Sequence, residues 1–245
     1  MSTVKSITDL LYKWAPPELA APWDNVGLQI GDMSQHASSV LLSLDVDTEC
    51  LTQLDVADYD LVITHHPIFF KPLKQVLFDS DMGAILETFL KLKVSLLSLH
   101  TNLDAAEGGV NDALIGAYGI APHTGQILSR DGFGKWFELP SSPLQDYIDL
   151  MPCTVQGFTA DRDVTRIGFC GGSGHGLIQD AVREKLDVFI TGEITYHDHV
   201  YAEMHNLTVI TLGHKESEVL VLPVIRERLL DAFPDLNIDI IGLEA

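Results

Sequence analysis

The residues best placed to do chemistry in this chain are imidazoles and carboxylates at recurring spacings. His65-His66 follows the apolar run Leu61-Val-Ile63 and precedes Pro67. His100 is followed four residues later by Asp104, and His214 four residues later by Glu218. A neutral imidazole nitrogen and a carboxylate oxygen are both electron-pair donors. Together they suit Zn, Fe(II), Mn, Co or Ni, and they suit neither an all-oxygen Ca cage nor a thiolate site. Adjacent His side chains on an extended chain point to opposite sides, so they serve two neighbouring ions more readily than they chelate one. Taken alone, His65-His66 reads more plainly as a pair capping a loop, and either His-x-x-x-acid copy as a helix-start carboxylate beside a loop imidazole. All three at strand ends make convergence the better reading. Three or more histidines with two acids suffice for two ions, with a carboxylate free to bridge.

The elements that must position these groups are legible from periodicity. Leu61–Thr64 reads as a strand buried on both faces, stopped by Pro67, which cannot continue a ladder. The carboxyl ends of strands in an open α/β sheet are where ligands bind. Further strands are expected over Val40–Val46, Val94–Leu99, Val164–Cys170, Val188–Thr191, Leu207–Leu212 and Ile238–Ile241. Helices are expected over 6–14 (Ser6 as cap, with Asp9 three residues on), 48–57, Asp81–Lys91, Val110–Tyr118, Leu177–Lys185, Tyr196–Met204 and Val219–Ala232. Residues 123–163 carry glycines and prolines and read as short strands and a helix bridging two halves. Trp23–Gly31 is rich in turn residues, and a local reading gives it no chemistry. Strands alternating with helices predict α/β layers with mixed, largely parallel sheets.

The two halves resemble each other. Asp60-Leu-Val-Ile-Thr-His-His matches Asp187-Val-Phe-Ile-Thr-Gly-Glu, and Ser98-Leu-His100-x-x-x-Asp104 matches Leu212-Gly-His214-x-x-x-Glu218. A duplicated strand–loop–helix unit accounts for this, which predicts two similar lobes, 1–122 and 123–245. Gly171-Gly-Ser-Gly174, after a strand and before a helix, admits two readings: a tight turn, or backbone amides offered to a phosphate. Glu193, with His197 and His199 beyond it, is expected at a strand end, where a carboxylate or imidazole can reach the rim.

The formal charge of −20, from 35 acidic and 15 basic residues, argues against a nucleic-acid backbone or an anionic membrane as partner. Three cysteines without paired spacing read as reduced thiols. There is no apolar leader-like run near the start and no uninterrupted span, so a cytoplasmic protein is expected.

Asp24-Asn-Val-Gly-Leu-Gln29, Thr64-His-His-Pro67, His100-Thr-Asn-Leu-Asp104, Thr191-Gly-Glu193 and Gly213-His-Lys-Glu-Ser-Glu218 together resemble the Nif-three-like family, whose members also carry the label GTP cyclohydrolase I type 2. The resemblance spans nearly the whole chain, in the short form without a mid-chain inserted domain. It implies a two-lobed α/β fold with a dinuclear metal centre between the lobes at strand carboxyl ends, in a toroidal homohexamer. By the same resemblance, His65, His66, Asp104, His214 and Glu218 are the metal ligands, with Glu218 bridging. By the internal repeat, His100 is the counterpart of His214 and should also be a ligand; the resemblance instead places it behind the ligands or in proton transfer.

A hydrolase is then the leading expectation. Metal-activated water would open the guanine imidazole ring of GTP and release formate, with His100 or Glu193 moving protons and Gly171–Gly174 as a candidate triphosphate seat. A dinuclear phosphoesterase, and a metal-holding scaffold or regulatory protein without turnover, are the alternatives. Open coordination positions flanked by acids and bases would favour an enzyme over a scaffold.

Overall fold

A computed structural model describes residues 2–158 and 162–243. Its strands are β1 (Gly27–Ile30), β2 (Ser39–Ser43), β3 (Leu61–Thr64), β4 (Ser95–Ser98), β5 (Gln126–Ile127), β6 (Lys135–Pro143), β7 (Thr154–Gly157), β8 (Asp163–Ser173), β9 (Val188–Glu193), β10 (Thr208–Thr211) and β11 (Asn237–Ile240). They form two sheets, ordered β1-β4-β3-β2-β11 and β5-β6-β8-β9-β10-β7. In the first, β4, β3, β2 and β11 run parallel and β1 is antiparallel at the edge. In the second, β8, β9 and β10 are parallel and the outer strands antiparallel.

Two compact units contain these sheets, and they are not the consecutive halves 1–122 and 123–245. One comprises Met1–Ala106 with Leu222–Ala245, the other Glu107–Val221. The cause is β11, whose partner is β2, a strand some two hundred residues earlier. Local pattern cannot reveal such a pairing.

In the first unit, all four residues of β3 are buried, as expected for a strand with parallel neighbours on either side and side chains covered above and below. Leu41, Val62 and Leu96 pack on one face with Phe89 from the helix Asp81–Leu92. The first helix runs Val4–Trp14 and starts earlier than expected. Thr3 caps it, and Ser6 returns the bond to the Thr3 amide as the other half of a capping box.

In the second unit, side-chain alternation along the sheet supplies two cores. Val188, Ile190 and Ile210 pack with Leu114 and Ile115 from Val110–Ala117. Phe189 and Val209 pack with Ile178, Ala181 and Ala202 from the helices Ile178–Arg183 and Tyr196–Met204. Helices therefore cover both faces of a parallel centre, which leaves the carboxyl ends of β8, β9 and β10 open to loops.

Candidate metal centre

Each unit gathers its own set of donors just beyond its central strands. In the first, His65 is fully buried, and its Nδ1 lies 2.8 Å from the Leu99 carbonyl oxygen. A carbonyl only accepts, so Nδ1 carries the proton and the neutral ring's lone pair is on Nε2. That Nε2 faces Asp104 Oδ1 at 3.6 Å. Asp104 lies on the short helix Thr101–Ala105 that follows β4. His66 Nδ1 donates to Asp45 Oδ1 at 3.0 Å, which likewise assigns its lone pair to Nε2. His65, His66 and His100 each offer one ring nitrogen, and these three atoms lie within 4.8 Å of one another.

His100 is held by Asp24, a residue from the segment to which local reading assigned no chemistry. His100 Nδ1 donates to Asp24 Oδ1 at 2.9 Å, and Oδ2 accepts from the Thr101 amide (3.0 Å) and the Thr101 hydroxyl. Burial pushes the Asp24 carboxyl pKa up, but the hydrogen bonds from His100 and Thr101 outweigh it and hold it at about 2. A buried carboxylate that stays ionised fixes both the tautomer and the orientation of its imidazole.

In the second unit, His214 and Glu218 are the first and last residues of the helix His214–Glu218, which follows β10. His214 Nδ1 donates to Glu193 Oε1 at 3.1 Å, and its Nε2 faces the buried Glu218 at 3.3 Å from Oε1. Glu193, at the end of β9, is thus bound to an imidazole and does not stand alone at the rim. His199 accepts the Gly157 amide and has a structural task, while His197 packs its ring against Tyr196.

The Gly171–Gly174 stretch is neither a phosphate cradle nor a simple turn. Strand β8 continues to Ser173, and the amides of Gly171, Gly172 and Gly174 bond to Asn111 Oδ1, Ser217 Oγ and the Glu193 carbonyl. Those donors are engaged within the unit, which leaves no nest for a triphosphate. The glycines serve space instead. Gly172 has φ +62°, and a Cβ there would run into the Glu218 carboxylate.

The donor chemistry fits a metal. In each unit an imidazole Nδ1 is fixed by an oxygen acceptor, and its Nε2 is turned toward a carboxylate oxygen. Two electron-pair donors set face to face are what a shared cation holds together, with the outer bond setting the ring's tautomer.

Known proteins similar to the chain identify its family. The chain is 30% identical over 248 residues to a GTP cyclohydrolase 1 type 2 homolog of Methanocaldococcus jannaschii, covering 98% of each. It is 29% identical over 238 residues to a GTP cyclohydrolase 1 type 2 homolog of Clostridium perfringens, covering 92% of this chain and 90% of the relative. Among solved structures, a Bacillus cereus protein related to NIF3 superposes with a TM-score of 0.89 at 21% identity, over all of this chain and 98% of the other. The family model for Duf34/NIF3 (NGG1p interacting factor 3) matches residues 2–245, and the chain belongs to that family.

Proposed function

We propose that the chain is a hydrolase that works with two divalent transition-metal ions on a nucleotide-like heterocycle, with GTP as the first compound to test. The observation that carries the reading is the oriented imidazole–carboxylate pair found once in each unit, His65 with Asp104 and His214 with Glu218. His65, His66, Asp104, His214 and Glu218 would hold the ions, with Glu218 serving both. When bound, the ions supply Lewis acidity and a water acidified to near neutrality. The protein's own groups do the rest. Asp24 holds the Nδ1 proton of His100, so the other His100 nitrogen is the one that exchanges protons with a reacting group. Glu193 holds the Nδ1 proton of His214.

The names of the relatives, GTP cyclohydrolase 1 type 2 homologs, support GTP as substrate; the reaction proposed on it is opening of the guanine imidazole ring by water with release of formate. The carboxylate behind His100 favours turnover over a purely structural role, because it fixes the tautomer and orientation of an imidazole outside the assigned ligand set. The assembly read from the resemblance, a homohexamer, belongs to the same proposal, and sedimentation at micromolar concentration measures it.

The deciding experiment is metal analysis of the purified protein, then incubation with a nucleotide panel and mass detection of products. Bound metal with a formate-depleted nucleotide product supports the reading. Phosphate release in its place would make the protein a phosphoesterase. Stoichiometric metal with no product from any nucleotide would leave a metal-holding scaffold.

A further inference from the structure

Trp23 and Phe70 stand beside the first unit's histidine cluster with their rings turned to solvent, 60% and 50% exposed. The other two tryptophans are covered: the Arg228 guanidinium lies 4.1 Å from the Trp14 ring centroid, and that of Arg166 lies 4.3 Å from the Trp136 ring centroid. The Trp23 and Phe70 centroids are 5.5 Å apart with planes inclined at 54°, so the rings meet at a tilt and form a shallow notch, each still more than a third exposed. At its base is His100, whose ring lies 6.1 Å from Trp23 and 6.3 Å from Phe70, edge-on to both. His66 is the next ring along, 5.5 Å from His100.

The notch is tied down at several points. The Asn25 amide side chain donates to the Phe69 carbonyl at 2.8 Å, clipping the Trp23 segment to the Phe70 segment. Gln29 donates to the Asn25 carbonyl, and Asp24, next to Trp23, is anchored on His100 and Thr101. Two large apolar rings exposed on restrained backbone, opening toward imidazoles, are a poor arrangement for stability and a good one for a flat ligand.

We propose that Trp23 and Phe70 form a stacking platform for a planar heteroaromatic ring, a nucleobase, and set the ring's edge against His100. The inference rests on the reading of the histidine cluster as a reacting centre for a nucleotide-like compound, and it adds the group that recognises the base. The notch offers π-faces and imidazoles, which suit a flat base. Base–aromatic stacking is tolerant of base identity, so purines should bind ahead of pyrimidines by ring area and not by hydrogen-bond code.

The test uses the metal-loaded full chain, with guanosine, 7-deazaguanosine (the same flat ring without the reactive imidazole), cytidine and ribose 5-phosphate as probes. Trp23, the exposed indole, reports binding by fluorescence, and calorimetry reports it in the variants. Guanosine and 7-deazaguanosine are expected to bind alike, cytidine more weakly and ribose 5-phosphate least. Trp23→Ala and Phe70→Ala should each weaken the purines about tenfold or more, while Trp23→Phe retains most of the affinity. Unchanged purine affinity in both alanine variants overturns the platform. So does ribose 5-phosphate binding as well as guanosine. A Trp23→Ala variant that changes only the sedimentation coefficient also overturns it, and gives the surface to a second copy of the chain. The two proposals fail separately. Nucleosides that bind through Trp23 without turnover of any nucleotide retain the platform and remove the hydrolase. Nucleotide turnover at unchanged KM in Trp23→Ala does the reverse.

Discussion

At the amino end of β3, Asp60 Oδ2 accepts from the Ser38 and Ser39 amides and from the Ser38 hydroxyl. At the amino end of β9, Asp187 Oδ2 accepts from the Thr165 and Arg166 amides and from the Thr165 hydroxyl. The registers agree as well. Ser43 lies opposite Thr64, and Cys170 opposite Thr191; beyond these pairs Asp45 follows the end of β2, while Gly172 lies where the β8–β9 register shifts between Cys170 and Ser173. There the likeness stops. Asp45 orients His66, whereas Gly172 makes room for Glu218. β3 is followed by two imidazoles, and β9 ends in Gly192-Glu193. The strand starts repeat because both sheets must begin the same way; the strand ends differ because each unit brings different donors. Stability is written at one end of these strands and chemistry at the other.

The strongest way to break this division is to remove the donors. The wild-type chain is expected to hold roughly two ions, and Glu218→Ala should remove more metal, by plasma mass spectrometry, than any other single change. Full occupancy in that variant would end the assignment of Glu218 as a shared ligand. Next comes the pair that the repeat makes equivalent, His100 and His214. Their Nδ1 partners differ, being a fully buried Asp24 for one and a half-exposed Glu193 for the other. His214→Ala should lose metal. His100→Ala should keep most of its metal and lose ~10²-fold or more of the hydrolytic rate, the scale of a proton-transfer group. Equal metal loss in the two would restore the symmetric reading and make His100 a ligand.

Asp45 and Gly172, each just past the last aligned pair of its sheet, sharpen the comparison at smaller cost. Asp45→Ala should lower metal affinity roughly 10-fold, as loss of an outer partner to an imidazole does, with little effect on folding. Gly172→Ala combines a left-handed backbone with a clash at Glu218 and should cost about 1–3 kcal/mol of stability as well as metal. If Asp45→Ala unfolds the protein and Gly172→Ala does not, the roles have been exchanged. The smallest effects belong to the strand starts. For both Asp60 and Asp187, burial raises the carboxyl pKa, and the amide and hydroxyl donors more than reverse it, so both are lowered from the usual aspartate value. A depressed carboxyl pKa stabilises the fold above the unfolded value and loses that contribution as pH falls through the folded one. Asp60→Asn and Asp187→Asn should each cost about 2 kcal/mol at neutral pH. That difference should shrink below about pH 4 in chemical denaturation, with metal content unchanged throughout.

What the sequence disclosed follows how local each feature is. Leu61–Thr64, with Pro67 behind it, was readable because a buried strand and its stop lie in one short stretch. The His-x-x-x-acid copies were readable because a strand end and the next helix keep them close. Asp24 was invisible to local reading, because the imidazole that gives it meaning comes 76 residues later and only the fold joins them; the family motif flagged the segment without saying why. The glycines at 171–174 misled because glycine ordinarily marks a turn, whereas here the strand runs on through Gly171 and Gly172 to Ser173, and long-range partners at Asn111 and Ser217 take those two amides. The helix at Val4 begins earlier than expected because Ser6 can serve as a cap or as the return half of one, and Thr3 decides which.

The return of β11 to the first sheet has a consequence for biosynthesis. Strands β1 to β4 are synthesised before residues 107–221, and β2 presents an unpaired edge until residues 237–240 follow. At ordinary elongation rates that interval lasts on the order of ten seconds, long compared with strand pairing. The nascent first unit therefore spends that time with an open β-edge, while the 107–221 unit, contiguous in sequence, can complete itself first. Cotranslational folding should run from the middle outward, and a chaperone able to shield a strand edge would find its substrate in chains arrested just short of β11.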